Sequence, residues 1–247
     1  MSRTEPAWFR HIFASNMVGI GMWAGDGTIA EATDRLARLT RDLLDISRIQ
    51  TGQLVLRPER LDVVDLIERV AAPYRASLAP HHRLRLDLPT VPGPVMADGE
   101  RLTQVLTNLL DNAFKYSPQG GEVSVVLRRQ DPPASLGAGP PAPLGTGPAA
   151  PLGASRPAGS GQAAQLIVRV ADEGIGVPAG SLEAIFRPFA RAPNARESPM
   201  PGMGLGLFVC RSIVERHGGR MWAESTGEGQ GTTVSFVLPA DGAAGQT

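Results

Sequence analysis

DGERLTQVLTNLLDNAFKYSP, residues 98–118, is the stretch that decides the fold. Leu102, Val105, Leu106, Leu109, Leu110 and Ala113 recur at three and four, which makes one stripe of a helix apolar. Asp98 caps its start, and the spacing predicts a helix to about Tyr116. The other stripe is polar. Asn108 and Asn112 stand four apart and share a face. Lys115 lies about one turn further on and can meet a phosphate as a point charge. Tyr116 offers an aromatic surface to a base or sugar. The carboxamide oxygen of Asn112 is a hard, neutral ligand suited to magnesium already balanced by phosphate charge, with Asn108 as its neighbour. Taken alone, the stretch reads equally as an amphipathic helix with two amides on its wet face.

Outward from this helix the chain alternates between helix and strand patterns. Leu36, Leu39, Leu43, Ile46 and Ile49 predict a helix over Asp34 to Ile49, stopped at Gly52. A second is predicted from Asp62, with Val64, Ile67, Val70, Ala71 and Tyr74 on one face. Residues 83–88, RLRLDL, alternate strictly and read as a strand. Glu122 to Arg128, Gln165 to Ala171, Arg220 to Glu224 and Thr232 to Leu238 read as further strands, with a helix from about Leu205 to His217. The fold class expected is an α/β (α+β) two-layer sandwich. Its helices pack on one face of a mixed, mostly antiparallel sheet, and a helical segment precedes it.

Asp131 to Ala163 is different in kind. It holds 8 of the chain's 22 prolines, carries almost no charge, and repeats as ASLGAGPP, APLGTGPA and APLGASRP. Too few large apolar groups are present to offset its ordering entropy, so it is expected to be a disordered insertion at a hairpin tip. A proline-rich docking segment is the alternative, but no charged residues flank a PxxP core convincingly.

Two further motifs have the chemistry of a nucleotide site. Asp172-Glu-Gly174-Ile-Gly176 follows a strand. Its aspartate can accept from an exocyclic amine such as that of adenine, and its glycines let backbone approach a ligand. It also reads as a plain turn. Gly202-Met-Gly204-Leu205-Gly206 feeds a helix N-terminus, where unpaired N–H groups face phosphate. Its spacing does not fit a dinucleotide-binding fingerprint.

Together and in this order the motifs resemble the GHKL ATPase and kinase superfamily. The forms DGERLTQVLTNLLDNAFKYSP, VADEGIGVP, IFRPFAR, GMGLGLFVCRSIVERHGG and GTTVSFVLP are similar to those of sensor histidine kinases. The resemblance implies Mg2+ and ATP bound between the asparagine helix and a lid at about Ala190 to Met203. Phe186 and Phe189 match the family's phenylalanine box, and Gly231, Thr232 and Thr233 its last glycine box. Hydrolytic superfamily members carry a glutamate four residues before the magnesium asparagine. Here that residue is Asn108, and an amide is no general base. The implied reaction is therefore phosphoryl transfer to a histidine, and then to the aspartate of a response regulator.

The family pairs a helix like Asp42 to Gly52 with a preceding helix carrying the acceptor in a motif like H-E-x-R-T-P. None of the four histidines, His11, His81, His82 and His217, matches that motif. Residues 1–33 resemble the opening of a PAS domain, with Gly25-Asp-Gly27 as its first hairpin turn. The organisation expected is a PAS-like fragment over 1–33, a dimerisation-helix remnant over 34–52, the ATP-binding domain over 53–240 and a tail over 241–247. The chain thus reads as a kinase lacking the rest of its sensor and its acceptor helix. Another kinase subunit would supply that helix. The rival reading is a non-enzymatic nucleotide-binding regulator, or a degenerate kinase, that binds a partner kinase.

Composition narrows the partners. Lys plus Arg and Asp plus Glu are both 24, which gives no electrostatic reason to expect nucleic acid or an anionic membrane. Cys210 is the sole cysteine, so no disulfide forms within the chain, as suits a reducing cytoplasm. The most apolar early stretch, Ile12 to Ala24, is broken by Ser15, Asn16, Gly19 and Gly21. It reads as neither a signal peptide nor a membrane span, which needs about 18 apolar residues.

Overall fold

The computed structural model describes residues 40–41, 43–89, 94–130, 164–197, 200 and 202–240. The expected PAS-like fragment, the insertion and the tail lie outside them. The chain divides between Gln53 and Leu54 into two units. In the first, residues 43–50 are helical. Gly52 ends that helix at φ +72°, its N–H donating to Ile49 O at 3.1 Å and that of Gln53 to Arg48 O at 2.7 Å. A left-handed terminal glycine is the expected stop, because it has no Cβ to clash.

The described residues of the second unit form seven strands: β1 (Glu59–Leu61), β2 (His82–Asp87), β3 (Val95–Ala97), β4 (Gly121–Gln130), β5 (Gln165–Asp172), β6 (Arg220–Glu224) and β7 (Thr232–Pro239). Its α-helices are α1 (Val63–Ser77), α2 (Gly99–Lys115), α3 (Pro193–Glu197) and α4 (Gly206–Arg216). The main sheet runs β2-β4-β5-β7-β6, with β2 and β4 parallel and every other neighbour antiparallel. Val123, Val125 and Leu127 of β4, Leu166, Val168 and Val170 of β5, and Phe236 and Leu238 of β7 alternate onto one face and are buried. They meet the apolar stripes of α2 and α4, where Leu102, Val105, Leu106, Val209 and Ile213 are almost fully excluded from water. The two-layer expectation holds.

Asp62 caps α1, accepting from Val64 N and Asp65 N, and Asp98 caps α2, accepting from Arg101 N at 3.0 Å. The buried face of α1 is Val63, Leu66, Ile67, Val70 and Ala71, so Val63 and Leu66 replace Val64 and Tyr74 of the expected stripe. Two elements were not expected. β1 and β3 form a separate two-stranded antiparallel sheet, and α3 is a five-residue helix. The start of the unit is fastened twice. Arg216 Nη1 donates to Leu54 O at 2.6 Å, and Arg57 N donates to Asp98 Oδ2 at 2.9 Å.

Gln130 and Gln165 face each other in register at the β4–β5 hairpin end. The opposite end of β5 is Asp172, seven residues or about 23 Å along an extended strand. Replacing residues 131–163 with an Asn-Gly turn is therefore expected to keep ATP affinity within about two-fold and leave the melting temperature equal or higher. A fall of more than about 5 °C would show that the segment packs on the domain.

Candidate nucleotide site

The site is assembled where α2 ends, where β5 ends and where α4 begins. Asp172 closes β5. Its Oδ1 accepts from Gly174 N at 2.9 Å and from Thr232 N at 3.2 Å. Burial pushes the carboxyl up from the ordinary 3.8 to about 6, against those two N–H bonds, which pull it down. Both bonds use one oxygen, which leaves Oδ2 to meet a ligand donor.

The loop after Asp172 is stitched to α2. Ile175 N donates to Tyr116 O at 2.9 Å, and a Cβ on Gly174 would sit 2.1 Å from that same oxygen. From the other side Gly231 N donates to Gly174 O at 3.1 Å and Gly229 N to Ile175 O at 2.7 Å. Gly176 has φ +65°, and a Cβ there would meet Gly227 O at 2.0 Å. The glycines are thus dictated by contacts between backbones.

The glycine run before α4 lies against the polar stripe of α2. A Cβ on Gly206 would come 3.0 Å from Asn108 Oδ1, and one on Gly202 would come 2.5 Å from Lys115 Nζ. Lys115 Nζ donates to Tyr116 Oη at 3.2 Å and lies 4.5 Å from that ring's centroid. No side chain caps α4, so its first N–H groups keep their capacity for an anion. The carboxamides of Asn108 and Asn112 make no hydrogen bond to any described residue. Their oxygens therefore suit a hard cation carried with phosphate. No cluster of three or more His, Cys, Asp or Glu occurs among the described residues, so an all-protein metal cage is not what they form.

The remaining expected residues divide by depth. Gly204, at φ +72°, is pressed against Ala190, whose oxygen would lie 2.4 Å from an added Cβ. Phe186 is 2% exposed and lies under the Arg211 guanidinium at 4.4 Å, and Leu205 is equally buried. Phe189 is half-buried with φ +62°, the only non-glycine at positive φ among the described residues. Sequence reasoning gave no role to Arg191 or Asn194. Arg191 Nη2 donates to Ala195 O and to Met200 O. Asn194 Nδ2 donates to Gly176 O at 2.9 Å and Ile175 O at 3.2 Å. Nothing in the sequence marks Asn194, because its partners are backbone atoms distant along the chain.

Two of the described histidines, His82 and His217, have hydrogen-bonding duties. His217 ends α4. Its Nδ1 bonds Ile213 O at 2.8 Å and its Nε2 accepts from Asp98 N at 2.9 Å. Burial holds its pKa below the usual histidine value, so the ring is neutral with both nitrogens engaged. His82 Nε2 lies 2.9 Å from Ser117 O. His11 lies outside the described residues.

Residues 97–242 match the family described as histidine kinase-, DNA gyrase B-, and HSP90-like ATPase. The chain belongs to this family. Sensor histidine kinase WalK of Bacillus subtilis is 30% identical over 207 residues, 84% of this chain and 29% of that protein. The chain thus spans less than a third of that relative's length. The mycobacterial sensor histidine kinase MprB structure is 25% identical and superposes with a TM-score of 0.52, covering 74% of this chain and 97% of that one. Acinetobacter baumannii histidine kinase AdeS shares the fold, with a TM-score of 0.58, 22% identity and 94% of each chain covered. The ATPase-family region takes in every residue of the site from Asn108 to Thr232, and the domain is an ATP-binding catalytic domain of the sensor histidine kinase type. No helix among the described residues is long and apolar enough to cross a membrane.

Proposed function

We propose that this domain binds Mg-ATP and phosphorylates a histidine on an acceptor helix supplied by another kinase subunit, from which the phosphoryl passes to an aspartate of a response regulator. Asp172 accepts from the adenine amine. Lys115 and the N–H groups opening α4 hold the phosphates. Asn112, with Asn108 beside it, would hold Mg2+, which when bound neutralises triphosphate charge. Phosphoryl transfer needs positioning and charge stabilisation more than covalent help from the protein. The acceptor nitrogen attacks the γ-phosphorus, the bond to the β–γ bridging oxygen breaks, and ADP leaves with the electron pair.

The observation that carries this reading is Asn108. It faces Gly206 at the start of α4, and its amide cannot take a proton from an attacking water. Hydrolysis is thereby disfavoured, while a neutral histidine needs no such base. The tied nitrogens of His217 support an acceptor from elsewhere.

The test uses radiolabelled ATP and magnesium. The chain alone is expected to acquire no acid-labile, base-stable label. An acceptor-helix domain added in trans is expected to acquire it and to pass it to a receiver domain. Stoichiometric label on the isolated chain, lost on replacing one of its own histidines, would sink this reading. ATP bound but no transfer to any histidine kinase acceptor domain would favour the non-enzymatic regulator instead.

A further inference from the structure

We infer that Asn194 is a positioning residue that couples the base end of the nucleotide site to its phosphate end. The inference rests on the proposed nucleotide-binding role of the site and concerns how its two ends act together.

The coupling follows a continuous line of contacts. Asn194 stands on α3, the short helix inside the lid. Its carboxamide nitrogen reaches out of the lid to the loop that follows the base-reading Asp172, donating to Ile175 O and Gly176 O. Its carboxamide oxygen accepts from Ala195 N at 3.1 Å, which fixes the amide's orientation. Two acceptors on one side and a donor on the other permit one assignment of O and N. From α3 the line continues through Arg191, whose Nη2 binds both Ala195 O and Met200 O. Two residues beyond Met200, the Cα of Gly202 sits close enough to Lys115 that a Cβ would come 2.5 Å from Nζ. Hydrogen bonds thus link the base loop, α3 and Met200, and Gly202, two residues on, packs beside Lys115.

The loop end of this line cannot drift. Ile175 and Gly176 are held from beneath by Tyr116 O, Gly229 N and the close approach of Gly227. Asn194 thus anchors α3 to a fixed point, and Arg191 extends that reference to Met200, near the phosphate end. Without the anchor the base loop keeps its other bonds, so base reading survives. What weakens is the position of the lid over the γ-phosphate, because an unanchored segment must lose more conformational freedom on binding. The effect should therefore appear in the preference for ATP over ADP, not in adenine affinity as such.

The experiment measures ATP and ADP dissociation constants by calorimetry for the full chain, Asn194→Ala and Asn194→Asp. Wild type is expected to prefer ATP over ADP in magnesium. Asn194→Ala is expected to weaken ATP about five-fold and ADP less than two-fold, the size usual for losing one such hydrogen-bonded anchor. Asn194→Asp keeps the shape, removes both donors and sets a charge against two carbonyl oxygens, so its loss of preference is expected to be larger. Equal losses for ATP and ADP, or no loss in either variant, would overturn the coupling. Failure of the wild-type chain to bind either nucleotide would instead overturn the nucleotide-site reading on which it rests.

Discussion

Asp172→Asn is expected to weaken ATP binding about 100-fold while raising the melting temperature of the nucleotide-free protein. The two effects share one cause. Asparagine keeps an oxygen for Gly174 N and Thr232 N, so the local backbone survives. It replaces Oδ2 with an amino group, which sets donor against donor where adenine's amine arrives. A lost charge-assisted bond plus that mismatch accounts for roughly 2–3 kcal/mol. Stability moves the other way. The folded carboxyl titrates at about 6 instead of 3.8, so folding strains against its ionisation. That cost is fully present above about pH 6 and is relieved as pH falls toward 3.8, where both states hold the proton. Asparagine has no such cost. The variant should therefore be more stable by about 1–3 kcal/mol at pH 7.5, with the advantage shrinking toward pH 4. ATP affinity of the native protein should itself fall as pH drops through about 6. Thermal melts at several pH values, paired with ATP titrations, measure both. A variant that binds ATP normally, or that is destabilised at neutral pH, would refute the assignment.

Gly174→Ala should be the most damaging single methyl in the site. Its Cβ would lie 2.1 Å from Tyr116 O, 2.7 Å from Tyr116 C and 2.8 Å from Asp172 Oδ1. Two of those atoms are backbone and the third accepts from Gly174 itself, so no flexible side chain can move aside. Relief requires breaking the Ile175 N to Tyr116 O bond, the stitch between α2 and the base loop. A loss of about 3 kcal/mol in urea denaturation is expected, together with loss of measurable ATP binding. Gly180→Ala is the control, since nothing lies within 4 Å of a Cβ there. It should change stability by less than about 0.5 kcal/mol. Similar behaviour of the two variants would contradict the packing described.

Much of this was legible from residues alone, and the reasons are local. Helix α2 announced itself through a strict apolar period and an aspartate cap, and β2 through its alternation. The β1–β3 sheet was not legible because three-residue strands are too short to show a period, and their pairing spans more than thirty residues. The parallel pairing of β2 with β4 is likewise a non-local fact, set by how α2 crosses between them. At the candidate site, spacing put Asn108, Asn112 and Lys115 on one helix and Asp172 at the end of a strand, as the structure has them, but depth was hidden. Phe186 and Phe189 look alike on paper. One lies in the core beneath Arg211, and the other sits half-exposed in a left-handed backbone. Asn194 carried no signal at all.

The double fastening of Leu54 and Arg57 gives the domain a mechanical character. Arg57 is tied to the cap of α2, and Leu54 to the last turn of α4. Those two helices pack against each other at the candidate site, where a Cβ on Gly206 would come 3.0 Å from Asn108 Oδ1. The first residues of this unit therefore act as a strap over two helices, and pulling Leu54 and Arg57 away would load the cap of α2 and the last turn of α4 together.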